Sequence, residues 1–491
     1  MPAHKKRNTF IKRGQIIELL IEDYAFGGKG ISRIDSDLGM FVVFVPNTLP
    51  GQLVKTQIVK ARKKYAEGKL IEVIETSKNE IASPYQQIPG APYIKLPIKK
   101  QHEYKYTSTI DLFKKIAHID TIENYFDEFI TSPSTFHYRN KMEYSFSAIG
   151  YDSTNKTDID EFTLGFKRRG TWWIGENLNK DSGLFDAEFE NNLHKIRTYC
   201  SQTGLPPWHA PKRKGFFRYL VVRKSYKTNK LLLNLVTTSD ELAKFDLQNF
   251  AEYLVELFGD RVAGFLHTIN DEIGDRTIST TGNIKLIYGS DKIVEQLLGL
   301  NFEISMKSFF QTNPKSAEKL YNKVASYALE NKEAIDNTVV MDLFCGTGTI
   351  GQIIASKSNN TKIIGVDIVA SAIEDAKENA KRNNIDGLKF YAEDVGKFLT
   401  KHPQYQNNIR TLILDPARAG IAPKTLKKII QLNAERIIYV SCNPATQARD
   451  TEELIKHNYQ LKKISLVDQF PHTAHIETII LFEKPVLKYS N

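Results

Sequence analysis

The sequence predicts a doubly wound, Rossmann-like α/β domain in the C-terminal part, preceded by a small oligonucleotide-binding-type β-barrel and an α+β middle. Three observations predict it. Strands and helices alternate strictly after about residue 300, and Gly346, Gly348 and Gly351 form a G-x-G-x-x-G loop after the first of those strands. Short strands broken by Gly and Pro fill residues 14 to 75.

A chain of 491 residues exceeds what one hydrophobic core usually serves, which suggests about three domains. The first is expected over 8–76. Its strands read as Gln15 to Glu22, Met40 to Val45, Leu53 to Val59 and Gly68 to Glu75, with turns at Gly27-Gly28-Lys29-Gly30 and Pro50-Gly51. The second is expected over 77–295. It opens with an irregular, Pro-rich connector to about residue 103 and a helix over 106–118, whose Ile110, Phe113 and Ile116 form an apolar face that could pack on the C-terminal domain. From 135 to 290, β-rich runs such as Lys141 to Ala148 and Tyr219 to Val222 mix with helices near 184–202 and 246–258, an α+β pattern closing around Gly289-Ser290-Asp291.

The third domain is expected over 296–491, with strands near 338–343, 362–367, 388–392, 410–415 and 436–441. Two more, near 461–468 and 475–483, are joined by a short loop and should form an antiparallel pair at the sheet edge.

Composition narrows the class. No apolar run is long enough to span a membrane, and the basic start Met1 to Arg7 lacks the features of a secretory signal. The three cysteines, Cys200, Cys345 and Cys442, are too few and too widely spaced for a disulfide framework or a metal site, so a cytoplasmic protein is expected. The formal charge of +10 is partly clustered. Basic groups occur at Lys5-Lys6-Arg7 with Lys12-Arg13, at Lys60 to Lys64, at Lys167-Arg168-Arg169 beside Trp172-Trp173, and at Lys212-Arg213-Lys214 before Phe216-Phe217. Cations interleaved with aromatics suit an RNA partner, because they neutralise phosphates and stack on unpaired bases.

Chemistry concentrates at the predicted strand ends. Cys442 follows the apolar strand Arg436 to Val440 and precedes Pro444, a residue suited to the first position of a helix. There a thiol would face the crevice at the carboxyl ends of the strands, near a helix dipole that favours thiolate. The glycine loop, with Asp367 at the end of the next strand, fits a dinucleotide or an adenosyl cofactor equally. A nicotinamide enzyme has no use for Cys442, nor obviously for Asp415-Pro416-Ala417-Arg418-Ala419-Gly420. A methyltransferase can use both, together with the amide-bearing segment Ser308 to Asn313.

Five ordered motifs resemble the RNA 5-methyluridine methyltransferase family. They are Phe309 to Asn313, Asp342 to Gly351, Asp415 to Gly420, Ser441 to Pro444, and Asp468 to Glu477. The first domain resembles a TRAM domain through Gly27 to Ile31, Phe44-Val45-Pro46 and Pro50-Gly51. The resemblance implies a class I, S-adenosylmethionine-dependent fold and methylation of uracil carbon 5. It gives Cys442 as nucleophile, Glu477 as base, and Gln311, Phe344, Asp367 and Asp415 as cofactor contacts, with Asp415 also able to hold the uracil edge. Chemistry alone leaves His472, His475 and Asp468 open as bases.

RNA cytosine-5 enzymes usually carry a second thiol in the motif that here reads Asp415-Pro416-Ala417, so its absence favours uracil. Many TRAM-bearing relatives hold an iron–sulfur cluster; with no Cys before Cys200, none is expected here, nor any other metal. Thr349 replaces a common Asn, and Cys345 reads as packing. Family habit links the TRAM domain to 23S ribosomal RNA more than to transfer RNA. We expect a monomer. A non-catalytic RNA-binding protein on the same fold is the rival expectation.

Overall fold

The computed structural model describes residues 10–35, 39–274, 277, 284–330, 339–358 and 361–485. The basic cluster Lys5-Lys6-Arg7 and the expected strand start at 338 lie outside these residues.

The first six strands form one barrel-like sheet around Leu19, Ile21, Phe41, Val43, Val45, Val54 and Ile58. The expected turn at Gly27-Gly28-Lys29-Gly30 holds at Gly27 and Gly28, but Lys29 and Gly30 already belong to the strand Lys29–Ile34, which pairs with Phe41–Pro46. Gly30 serves close approach rather than chain reversal. A Cβ there would lie 2.2 Å from Thr48 Oγ1 and 2.7 Å from Ile21 Cγ2, which only glycine avoids.

The middle of the chain builds a seven-stranded sheet backed by helices Ala187–Gln202 and Leu247–Phe258. Asp186 and Asp246 cap these helices through hydrogen bonds to backbone N–H groups, so both begin where their apolar faces begin. The hairpin Lys292–Leu297 and Leu300–Ser305 spans the expected boundary at 295/296.

The C-terminal domain is an eight-stranded sheet. Its parallel part runs Leu388–Ala392, Lys362–Asp367, Val339–Leu343, Ile409–Leu414, Arg436–Ser441. Glu477–Glu483 then inserts antiparallel between Arg436–Ser441 and Gln460–Val467. The last two strands do pair antiparallel, but they are not the sheet edge. Phe126–Ile130 runs parallel to Gln460–Val467 and covers it. This strand is a correction to the expected 77–295 unit, since it belongs to the C-terminal sheet. Pattern did not show it because Asp127 and Glu128 interrupt the apolar run; both are held by Lys323, at 2.6 and 2.9 Å.

The first helix is Ile98–Ile116, so it starts eight residues earlier than the expected 106 and the connector ends at Pro97 rather than near 103. Extended Pro97 starts it, and its first half buries a polar stripe, Gln101, Lys105 and Thr109, at i, i+4 spacing. A search for apolar periodicity does not see such a face. The second half buries Ile110 and Phe113 in the core below the sheet, beside helix Pro444–Lys456; full burial contributes about 1.5–3 kcal/mol for each. Helices Pro314–Ala328 and Thr349–Lys357 cover the other face through Leu320, Val324, Ile353 and Ile354. The sheet is therefore doubly wound, with its crevice at the carboxyl ends of the parallel strands.

Candidate active site

Strand register brings together two residues that lie 35 positions apart in the sequence. Arg436–Ser441 and Glu477–Glu483 pair with Ser441 opposite Thr478. The register ends there, so Cys442 and Glu477 are the next residues on the two paired strands, close enough for the Glu477 charge to act on the Cys442 thiol. Thr478 Oγ1 ties the strands at this end by donating to Ser441 O at 3.1 Å and to Gln447 Oε1. Asn443 caps the helix that follows, with Pro444 in its first turn, so the chain turns sharply at the half-buried thiol.

The electrostatics are those of a crevice poor in water. Burial, and then the charges of Glu477 and Asp415, push the Cys442 thiol up to about 11, while Arg418 opposes them by its charge and a hydrogen bond. Burial and Asp415 raise the Glu477 carboxyl well above the usual range; its side chain is almost wholly enclosed. Burial pushes Asp415 up to about 7. Arg418 was quoted in the sequence motif without a role, and it is the cation that faces the thiol. A signal was available, since an Arg three residues beyond Asp415 on a loop ending in Gly420 follows the neighbouring strand end.

The other base candidates are engaged or neutral. Asp468 is fully buried, accepts from Lys105 Nζ at 2.6 Å and lies 2.9 Å from His102 Nε2. Burial raises its pKa, but these partners outweigh burial and hold the carboxyl below its usual range. His472 stacks on Phe136 with ring centroids 4.4 Å apart and bonds Gln101 through its ring and its backbone. Burial lowers His472 and His475 to about 4, with Lys105 contributing to both and Arg418 to His475.

The glycine loop stands two strands away from this pair, across the strand end that carries Asp415. Gly346 and Gly348 adopt φ of +53° and +67°, and Phe344, with φ of +64°, enters the loop in a conformation that side chains rarely take. Phe344 N–H donates to Val366 O at 2.8 Å, and Asp415 N–H lies 3.4 Å from Leu343 O, so Phe344, Asp367 and Asp415 stand at three adjacent strand ends. Asp367 accepts from Gly346 N–H and Val369 N–H, both at 2.9 Å. Thr349 begins the helix after the loop, with its hydroxyl 3.1 Å from that of Thr347. Cys345 is partly buried, and burial raises its thiol well above the usual range.

Gln311 closes the opposite side. It is 8% exposed, hydrogen-bonds the buried Tyr321, and lies 3.5 Å from Gln469 Nε2. Its segment crosses over the helix that follows Asp367, because Ser308 Oγ donates to Asp375 Oδ2 at 2.6 Å. Phe309 and Ile368, both about two-thirds exposed, offer apolar surface around it. Sequence reasoning gave Tyr321 and Ile368 no part.

The donor groups fit a cationic adenosyl ligand. Asp342 Oδ1 is buried without a hydrogen-bond partner, and burial with Asp415 and Asp367 pushes that carboxyl up to about 8. A sulfonium or an amine bound beside these acids would draw them into their charged form, whereas a pyrophosphate would hold them protonated, so a cationic ligand gains more from this loop. Among the described residues no cluster could hold a metal ion.

Comparison with known proteins agrees with this chemistry. The tRNA (Uracil-5-)-methyltransferase family pattern matches residues 270–485, and the TRAM domain pattern matches 11–71. An uncharacterized RNA methyltransferase of Clostridium tetani is 35% identical over 96% of this chain and 98% of its own length. One from Clostridium acetobutylicum is 36% identical over 97% and 99%. In fold, the chain is similar to the tRNA (uracil-54, C5)-methyltransferase of Pyrococcus abyssi, solved with S-adenosyl-L-homocysteine, at 24% identity and a TM-score of 0.69 over 95% of this chain and 100% of that one. The chain therefore belongs to the S-adenosylmethionine-dependent RNA uracil-5 methyltransferase family and carries a TRAM domain at its N-terminal end.

Proposed function

We propose that this RNA methyltransferase acts on carbon 5 of a uridine through a transient bond from Cys442 Sγ to carbon 6 of the ring, with large-subunit ribosomal RNA as its substrate. The meeting of Cys442 and Glu477 at the ends of two paired strands carries the reading.

Carbon 5 of uracil is too weak a nucleophile to take a methyl group unaided. Addition of the Cys442 thiolate to carbon 6 forms an S–C bond and moves an electron pair toward oxygen 4, and the enolate makes carbon 5 nucleophilic. The thiol, which burial holds at about 11 in the ligand-free site, releases its proton to solvent as it adds, and Arg418 opposes burial by favouring the thiolate. When bound, S-adenosylmethionine supplies an electrophilic methyl group on a positively charged sulfur. Glu477 then removes the proton from carbon 5, the C5–C6 double bond re-forms, and the S–C bond breaks to release the thiolate. A carboxyl raised by burial is basic enough for that task near neutral pH. Gln311, Phe344, Asp367 and Asp415 line the donor side. Asp415, near its own pKa at neutrality, can instead donate to or accept from the uracil edge.

RNA containing 5-fluorouridine tests the chemistry, because proton removal from carbon 5 is blocked there. The expected result is a stable protein–RNA adduct that requires S-adenosylmethionine and disappears in Cys442→Ala. Failure to form it on any cellular RNA would favour a binding protein on the same fold.

The TRAM-type barrel supports ribosomal RNA. The name of the Pyrococcus abyssi protein, which matches over nearly the whole chain, supports transfer RNA as the second reading. Mapping 5-methyluridine in RNA from cells with and without the gene decides between them; a mark lost from transfer RNA overturns the ribosomal assignment.

A further inference from the structure

Two basic loops of the central sheet lie far apart in sequence, Lys167 to Trp173 and Lys212 to Lys214. They meet on one irregularity of strand Lys141–Asp152, where pairing with Thr157–Lys167 shifts register between Ser147 and Ile149. A bulge leaves local polar groups outside the ladder. Ser147 Oγ donates to Trp173 O at 2.9 Å, and the next residue, Ala148, donates its N–H to Trp208 O at 3.1 Å. Successive residues of one strand thus anchor both loops side by side.

The first loop is shaped in advance. Thr171 donates to Arg168 O through its N–H and hydroxyl, Arg168 N–H donates to Ile174 O at 2.9 Å, and Gly170 takes a φ of +84°. It presents Trp172, 57% exposed, with its ring edge-on to Trp173 at 5.5 Å. Trp173 is itself fixed by Nε1–H donation to Asp158 at 2.9 Å. Arg168 is engaged, lying 3.4 Å over the Tyr151 ring and 3.7 Å from Glu176. Arg169 is exposed, and no carboxylate among the described residues pairs with it. It interacts electrostatically with Tyr24 and Tyr93, whose rings stack at 4.5 Å. Tyr93 N–H donates to His472 O at 2.9 Å, so this loop borders the segment leading to Glu477.

The second loop is closed by a bridge between His209 and Lys214 and steadied by Arg218 over the Trp208 ring at 4.4 Å. Lys212, Arg213 and Lys214 are exposed, and none forms an ion pair among the described residues. Cations alone would accept any nucleic acid. An open indole face selects an unpaired base, because bases in a duplex are already stacked.

We propose that the two loops form one docking surface for a single-stranded segment of the substrate RNA, with Trp172 stacking on a base and Arg169, Lys212, Arg213 and Lys214 meeting phosphates. The inference rests on the RNA-methylating reading above and adds to it where the strand beside the target runs.

The test uses the full-length protein. Methyl transfer is measured on unmodified ribosomal and transfer RNA from cells lacking the gene, and binding is measured against salt with a short uridine-containing single strand and the matching duplex. Trp172→Ala is expected to raise KM about tenfold with kcat nearly unchanged, and Trp172→Phe to retain most of the affinity. Changing Lys212, Arg213 and Lys214 together to Gln should lower the log–log salt slope for the single strand by about 2, at ~0.7 per phosphate contact. Arg168→Gln should leave that slope alone. Wild-type KM and slope in these variants, equal loss in Trp172→Ala and Trp172→Phe, or a preference for duplex overturns the surface while leaving the methylation reading standing. Wild-type protein that methylates neither RNA, yet shows the expected binding losses in the variants, overturns the methylation reading and supports the surface.

Discussion

Replacing Lys105 by Met should destabilise the catalytic domain by about 3 kcal/mol at pH 8, the lower end of what removing one partner of a buried ion pair costs. The side chains of Lys105 and Asp468 are 1% and 0% exposed and lie 2.6 Å apart, and Lys105 also donates to Phe470 O at 3.0 Å. Without the ammonium, Asp468 must stay ionised in a dry site or take up a proton. His102, 2.9 Å away and partly exposed, softens the loss, which is why the lower end applies. The sign with pH follows from the proton count. In wild type the depressed Asp468 carboxyl contributes stability above its unfolded pKa, and that contribution is lost as pH falls through the folded value. In Lys105→Met burial is no longer opposed by the ammonium and raises the Asp468 carboxyl, so the folded site holds a proton that the unfolded chain has lost, and stability falls as pH rises. The deficit should therefore be larger at pH 8 than at pH 6. At roughly 2–4 °C per kcal/mol for a domain of this size, the melting transition should drop by about 6–12 °C at pH 8. Scanning calorimetry at both pH values measures it, and Lys105→Met with Asp468→Asn should recover most of the loss. Because Phe470 to Ile476 leads directly into Glu477, kcat should fall while KM for RNA stays close to wild type. A shift below about 2 °C, or a deficit that grows toward acid, would refute the reasoning.

Three other outcomes are expected. Glu477→Gln should slow release of methylated RNA by roughly 10²–10⁴-fold, the usual scale for a lost general base, and accumulate a denaturation-resistant protein–RNA band on a gel. Asp415→Asn should lower activity yet raise the melting temperature of the ligand-free protein at pH 8. The folded carboxyl titrates near 7 against about 3.9 unfolded, so the folded state retains the proton and loses stability as pH rises through that window, a loss that Asn does not suffer. Gly28→Val should reduce kcat, since a Cβ there would lie 2.8 Å from Ala474 Cβ at a φ of +81°; Ala474→Gly in the same protein should restore part of the rate by relieving the contact, leaving the backbone strain.

What the sequence made legible were features written in adjacent residues. The alternation of apolar strands with helices announced the doubly wound sheet, and the strand ends carrying Phe344, Asp367, Asp415 and Cys442 followed from it. The proximity of Glu477 to Cys442 could be assigned only through the family resemblance, because it depends on the insertion of Glu477–Glu483 between two other strands. Gly30 looked like part of a turn because glycine has two uses, and only the distances to Thr48 and Ile21 tell close approach from chain reversal. The stripe of Gln101, Lys105 and Thr109 was invisible because a buried polar helix face has no apolar period, and its partners Asp468 and His472 lie more than 360 residues away.

These missed contacts converge on the loop that leads into the base. Gly28 of the barrel packs on Ala474, Tyr93 of the connector binds His472 O, and Gln101 and Lys105 of the first helix hold His472, Asp468 and Phe470. From the central sheet region, Tyr138 OH donates to Pro471 O at 2.9 Å and Phe136 stacks on His472. On the donor side, Asn313 Nδ2 donates to Gln469 O and Gln469 Nε2 donates back to Asn313 O. A loop spanned by so many fixed partners has little freedom of its own, so the carboxylate it delivers is positioned by all three parts of the chain. Boundaries drawn by residue number miss this, because the barrel and the central sheet, which meet RNA in our reading, are also two of the walls that set the base. Such an arrangement gives a physical reason for keeping the barrel docked on the catalytic domain: in our reading, displacement of the barrel by a poorly fitting RNA would disturb Ala474, and with it the Glu477 carboxyl to which we assign the proton of carbon 5.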